Sequence, residues 1–178
     1  MDSHVDPGIP DLDVELPEVD QVAVVVEDVD DGMRRFRSIL GVEPWTVFRF
    51  EPPKLTDTTY RGEAVEYGMV LALGYAGDTM IELIEPTIDP NVYRDHLDEH
   101  GEGLHHVAYF GWDEPEAMDV VEEFEAAGMP VVQSGHYEGT DFWYFDSGAE
   151  LNGLLFEIGV RRDVGDREPE RVWPEDAA

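Results

Sequence analysis

The chain has 178 residues, enough for one compact domain, with 42 Asp and Glu against 11 Lys and Arg, a formal net charge of -31 and no cysteine. That balance excludes the cationic patch needed to grip a nucleic-acid backbone or an anionic membrane, and the missing thiols exclude disulfides and thiolate ligation, leaving His, carboxylate, amide or water for any metal site. Because the apolar residues are strongly patterned, the acidity does not read as disorder; with ten Arg and a single Lys54, it reads as a folded protein suited to a very salty cytoplasm, where screening shortens to about 3 Å at 1 M salt.

Residues 1–17 are an acidic, Pro-bearing N-terminal tail without a cationic start or hydrophobic stretch, so the sequence predicts a soluble, cytoplasmic chain. From residue 19 a β-rich run alternates, with Gln21, Ala23 and Val25 on one face and Val22, Val24 and Val26 on the other. A helix follows with Met33, Phe36 and Leu40 on one face; Gly41 fits the left-handed position beyond it and Pro44 blocks its continuation. Strands are predicted near 45–50, 65–73 and 78–85. A short linking helix over 90–100 ends at Gly101 and Gly103.

The pattern then repeats. LHHVAYF at 104–110 starts a second strand, with His106, Ala108 and Phe110 on one face and His105, by parity, on the other. Met118, Val121 and Phe124 share a helix face, Gly128 and Pro130 close the helix, and strands are predicted near 131–135, 141–147 and 153–160. Residues 132–143, with Gly135, His136 and Gly139, are also a candidate loop over the cleft, and 163–178 is a C-terminal tail. The fold class is therefore α+β: two paired βαβββ modules, 18–88 and 102–162, joined by a linker at 89–101 within a single domain at 18–162. Side by side they would curve one sheet around a central cleft.

Four polar residues interrupt apolar strands at equivalent places. His106 occupies the slot of Gln21, and the last strands carry Glu82 between Ile81 and Leu83 and Glu157 between Phe156 and Ile158. Taken singly, each is commonly a solvent-facing strand position. As two equivalent pairs, they bring one imidazole, one amide and two carboxylates toward one centre, with few basic residues nearby in sequence to neutralise them.

These residues and the duplicated pattern over 19–160 resemble the vicinal-oxygen-chelate superfamily of glyoxalase I, methylmalonyl-CoA epimerase, extradiol dioxygenases and bleomycin-resistance proteins. The resemblance implies paired βαβββ modules and a divalent metal (Zn, Ni, Co or Mn) on Gln21, Glu82, His106 and Glu157. GEGLHHVAY at 101–109 and IELIEP at 81–86 are similar to the epimerase branch, whereas the Gln/Glu/His/Glu set looks like some glyoxalase I enzymes. The chemistry implied is proton abstraction beside a carbonyl through a metal-stabilised enediolate or enolate, as in a lyase or epimerase, with Glu157 as the shuttle and Glu82 as its counterpart. Glu66 is a further base candidate, although a surface position suits it better. A single matching His departs from the two-His iron triad of ring-cleaving dioxygenases. A non-catalytic binding or resistance protein is the competing class. The expected substrate is a small carbonyl compound, thiol adduct or thioester. An Arg34, Arg35 and Arg37 cluster could contact an anionic substrate but reads better as a solvated helix face. A homodimer is expected, because open sheet edges need covering.

Overall fold

The computed structural model describes residues 12, 14–148, 151–162 and 167–175. In chain order they form β1 (Gln21–Val25), α1 (Val29–Leu40), β2 (Trp45–Phe50), β3 (Leu55–Tyr60), β4 (Glu63–Ala64), β5 (Gly68–Ala76), β6 (Thr79–Ile88), α2 (Val92–His100), β7 (Gly103–Tyr109), α3 (Glu114–Ala126), β8 (Val131–Tyr137), β9 (Thr140–Asp146), β10 (Leu155–Arg161) and β11 (Arg171–Trp173). The strands make one curled sheet in the order β11-β2-β5-β6-β1-β7-β10-β9-β8-β3-β4, an α+β half-barrel. Each module places its first strand parallel to its last, β1 on β6 and β7 on β10, and the modules meet where β1 runs antiparallel to β7.

Local sequence accounts for the helices. Asp28 caps α1 by accepting from the Asp31 amide, Gly41 ends it at φ 70°, and Asp113 with Glu116 forms a reciprocal capping box at the start of α3. Burial refines the predicted faces. Val29, Gly32 and Met33 are buried in α1 while Leu40, its last residue, is 63% exposed. In α3 the buried stripe is Ala117, Val120, Val121 and Phe124, spaced i, i+3, i+4, i+7, which leaves Met118 off the face at 39% exposure. The two helices back their own modules, α1 through Met33, Trp45, Val47 and Leu83, and α3 through Phe124, Phe145, Phe156 and Ile158. A third core fills the concave side with Phe50, Met69, Leu71, Tyr93, Phe142 and Tyr144.

Three segments differ from the sequence expectation. Residues 55–64 form the hairpin β3–β4, and β3 pairs with β8 of the other module. Residues 171–173, expected within a tail, pair with β2, and Trp173 packs with the core behind β2. Residues 132–143 are not a lid: β8 and β9 pair through them, and Glu138 and Gly139 turn the chain at φ 41° and 83°. The sheet edges expected to need a second copy thus end in two short strands of this same chain, β4 and β11. The N-terminal tail expected over 1–17 lies largely outside the described residues, as do 163–166 and 176–178 of the C-terminal one. Among the described residues no helix is long and apolar enough to cross a membrane.

Candidate metal and active site

Strand order, more than sequence distance, gathers the polar residues. β6, β1, β7 and β10 are consecutive in the sheet, and Ala23 stands level with Glu82 on one side and His106 on the other, so side chains of matching parity face the concave cleft. Glu82, His106 and Glu157 each offer one ligand atom, all within 4.8 Å of one another, and all three residues are buried. His106 Nε2 lies 3.0 Å from Glu157 Oε2 and 3.6 Å from Glu82 Oε2. Gln21, 3% exposed, hydrogen-bonds Glu82 through its side chain. The four residues singled out from sequence therefore share one buried cluster. Burial, reinforced by the charge of Glu157, holds Glu82 well above the usual carboxylate range, against the smaller opposing pull of Arg161 and Gln21.

His105 differs from its expected place. A bulge in β7 sets Ala23 against His106 but Val24 against Leu104, so His105 is the extra residue and parity does not carry across it. Its ring consequently lies on the cleft side, packed on Tyr93 and Tyr144, with Nδ1 2.9 Å from His106 Nδ1 and Nε2 3.4 Å from the Val92 carbonyl. Burial, then neighbouring His106 and His96, hold the His105 imidazole well below its ordinary pKa, which keeps it neutral.

These contacts fix the protons. A carbonyl only accepts, so His105 Nε2 must donate to Val92; a neutral His105 then has a bare Nδ1, which must accept from His106 Nδ1–H. A neutral His106 then turns the lone pair of its Nε2 toward Glu82 and Glu157. In keeping with that, His106 Nε2 and Glu82 Oε2 are both buried without a hydrogen-bond partner. Three electron-rich atoms in one dry pocket repel one another unless a cation or a proton lies among them. An imidazole, two carboxylates and an amide suit a borderline divalent metal.

The remaining candidates separate clearly. Glu66 is exposed, and Tyr67 next to it turns inward to donate to the Ser134 carbonyl at 2.8 Å. Arg34, Arg35 and Arg37 each pair with a nearby carboxylate, Asp31, Glu102 or Glu43, as a solvated helix face would. His136 pairs with Asp141 at 2.6 Å on the β8–β9 hairpin. Sequence reading did not single out Thr140, Arg161 and Arg167, which with Phe110 line the cleft beside Gln21, Glu82 and Glu157. The signal available for Arg161 was its position four residues after Glu157 on the same strand face.

With the geometry in hand, the chain can be set beside known proteins. A sequence comparison with curated proteins finds no match. In structure it is similar to a hypothetical protein from Bacillus halodurans C-125 (17% identity, TM-score 0.61, 84% of this chain and 98% of that one). It is also similar to methylmalonyl-CoA epimerase from Streptomyces coelicolor, in complex with 2-nitronate-propionyl-CoA (20%, 0.56, 86% and 100%), and to that from Mycobacterium tuberculosis (16%, 0.54, 90% and 94%). At these identities the likeness is one of fold. The profile of the Glyoxalase/Bleomycin resistance protein/Dioxygenase superfamily matches residues 20–145, which span β1 to β9 and most of the chain, and the chain belongs to that superfamily.

Proposed function

We propose that this protein is a metal-dependent enzyme that moves a proton at a carbon beside a carbonyl, as an epimerase, isomerase or glyoxalase-type lyase does. The observation that carries the reading is the buried His106 Nε2, which lies 3.0 Å from Glu157 and 3.6 Å from Glu82 without a hydrogen bond. His106, Glu82, Glu157 and the Gln21 amide would hold one divalent ion of the Zn, Ni, Co or Mn type. Such an ion supplies Lewis acidity toward a carbonyl oxygen.

Everything else falls to the chain. Glu157 serves as the base that takes the proton from carbon, and Glu82, its counterpart in the cluster, returns one to the other face in an epimerisation. The Gln21 amide steadies Glu82 by donating to it. Phe50, Met69, Leu71, Phe142 and Tyr144 wall the cleft, excluding water that would otherwise level the basicity of the two carboxylates. Tyr144 lies edge-on to the His106 ring at 4.8 Å, and its hydroxyl is tied to that of Tyr93 at 2.9 Å, which limits rotation of the imidazole.

Two measurements test this. The chain, stripped of metal and titrated with Ni, Co, Zn and Mn, should bind one of them near one equivalent and melt higher when loaded; no binding would defeat the reading. The loaded protein in deuterated water should then exchange the proton beside the carbonyl in a thioester or hemithioacetal that it turns over. Metal binding with full retention of that proton would favour a binding protein instead.

A further inference from the structure

The cations of this chain are few, and nearly all are spoken for. Arg34, Arg35, Arg37, Arg49, Lys54, Arg61, Arg94, Arg162 and Arg171 each have a carboxylate within 4.0 Å. Among the described residues, Arg161 and Arg167 are the two cations without a described carboxylate within that distance. Both line the same cleft as Gln21, Glu82 and Glu157.

Their surroundings are built for guanidinium groups yet leave donors unused. Arg161 lies over the Phe110 ring at 3.9 Å, a ring admitted because Gly159 has no side chain: a Cβ there would collide with it. The polar contact made by Arg161 is a long one, from Nη2 to Met80 Sδ at 4.0 Å. Half-buried Arg167 donates from Nε to the Glu138 carbonyl at 3.2 Å and from Nη2 to Thr140 Oγ1, and it stands 5.8 Å from the Tyr137 ring. Neutral acceptors and aromatic faces orient both forks, and the carboxylates whose charge they feel, Glu82 for Arg161 and Glu138 for Arg167, are not ion-paired to them. Burial and then the charge of Arg161 lower the Arg167 pKa, so the two cations feel one another. An anion between them would relieve that repulsion and use the spare N–H groups. The cleft here has a volume of only about 50 Å³, which suits one small charged group.

We infer that Arg161 and Arg167 form the anion-recognition end of the cleft, so that the substrate is a small carbonyl compound whose second end carries a carboxylate or phosphate oxygen group. This inference rests on the metal reading of Glu82, His106 and Glu157, which would hold the carbonyl end.

Three probes that share an amide carbonyl and differ at the other end test it by calorimetry on nickel-loaded protein: malonamate, phosphonoacetamide and the neutral diamide malonamide. Malonamate or phosphonoacetamide should bind about ten-fold tighter than malonamide, and that advantage should vanish in Arg161→Gln and in Arg167→Gln. Whichever of the two anions holds the advantage identifies carboxylate or phosphate. Arg161 is exposed, so Arg161→Gln alone decides the matter if Arg167→Gln fails to fold. Equal binding of the two anions and the neutral diamide, or anion binding unchanged in the Arg161 variant while nickel still binds at one equivalent, overturns the inference and leaves the metal reading standing. Failure of the unaltered chain to bind nickel overturns the metal reading, and this inference with it.

Discussion

At the scale of single residues, the instructive one is His105. It offers nothing directly to the cluster of Glu82, His106 and Glu157, because its Nδ1 meets His106 on the ring edge away from the carboxylates. Its influence is on where the His106 proton sits. His105→Leu would remove the acceptor for His106 Nδ1–H and free the ring to place its proton on Nε2, where a metal cannot bind. Metal affinity should fall roughly ten- to a hundred-fold, as loss of a partner behind a metal-binding histidine commonly does. Competition with a chromophoric chelator measures this, and imidazole nitrogen shifts in the metal-free protein should show His106 Nε2 unprotonated before the change and protonated after it. Unaltered shifts and affinity would mean that His105 does not set the proton. Alternation along β1, β6, β7 and β10 made Gln21, Glu82, His106 and Glu157 legible from sequence, since parity depends only on near neighbours. The side chosen by His105 was not legible, because a bulge is settled by the partner strand and leaves no mark in an apolar run.

Elements show the same division between local and distant causes. The Asp113–Glu116 box and Pro115 announce α3 in a handful of residues, and the structure uses all of them. Asp113→Ala should destabilise the protein by about 1 kcal/mol, read as a lower urea midpoint at unchanged slope; a larger loss would mean that α3 holds up more than the module it covers. By contrast β3, Leu55-Thr-Asp-Thr-Thr-Tyr, has no apolar alternation and reads as a loop. It becomes a strand through β8, and Thr59 Oγ1 meets Ser134 Oγ at 2.7 Å across 75 residues of sequence. β11 is likewise a strand only because β2 offers an open edge and the core behind it a place for Trp173. Signals of this kind lie in the partner, which is why 55–64 and 171–173 were not legible while the helices were. Arg167 went unnoticed for a related reason: nothing in the residues around it in sequence signals that it lines the cleft.

For the molecule as a whole, charge dominates. The ion pairs are mostly exposed and individually worth little, so they do not offset a net charge of -31. Self-repulsion should therefore set the stability, falling as the screening length shortens from about 10 Å at 0.1 M salt to about 3 Å at 1 M. The melting temperature is expected to climb steadily with KCl over that range and to level off near 1 M and above; a flat or falling curve would show that the acidity has another cause. This prediction and the anion-recognition inference pull in opposite directions at high salt, since the same screening weakens a substrate anion on Arg161. Half-burial of Arg167 moderates that weakening, because a pair held away from solvent is screened less.

The placement of the cluster on four adjacent central strands has one more consequence. In the order β6-β1-β7-β10, each of those strands has neighbours on both sides, whereas the outer strands and the β3–β4 and β8–β9 hairpins form the periphery. The four clustered side chains thus sit on the central strands, while Phe50, Met69, Leu71, Phe142 and Tyr144 of the cleft wall come from strands outside them. The hub can stay fixed while the rim is recut, by a longer hairpin, a substituted Phe142 or a relocated arginine, to admit a different molecule to the same four side chains. One scaffold can in this way accept many guests without rebuilding the cluster at its centre.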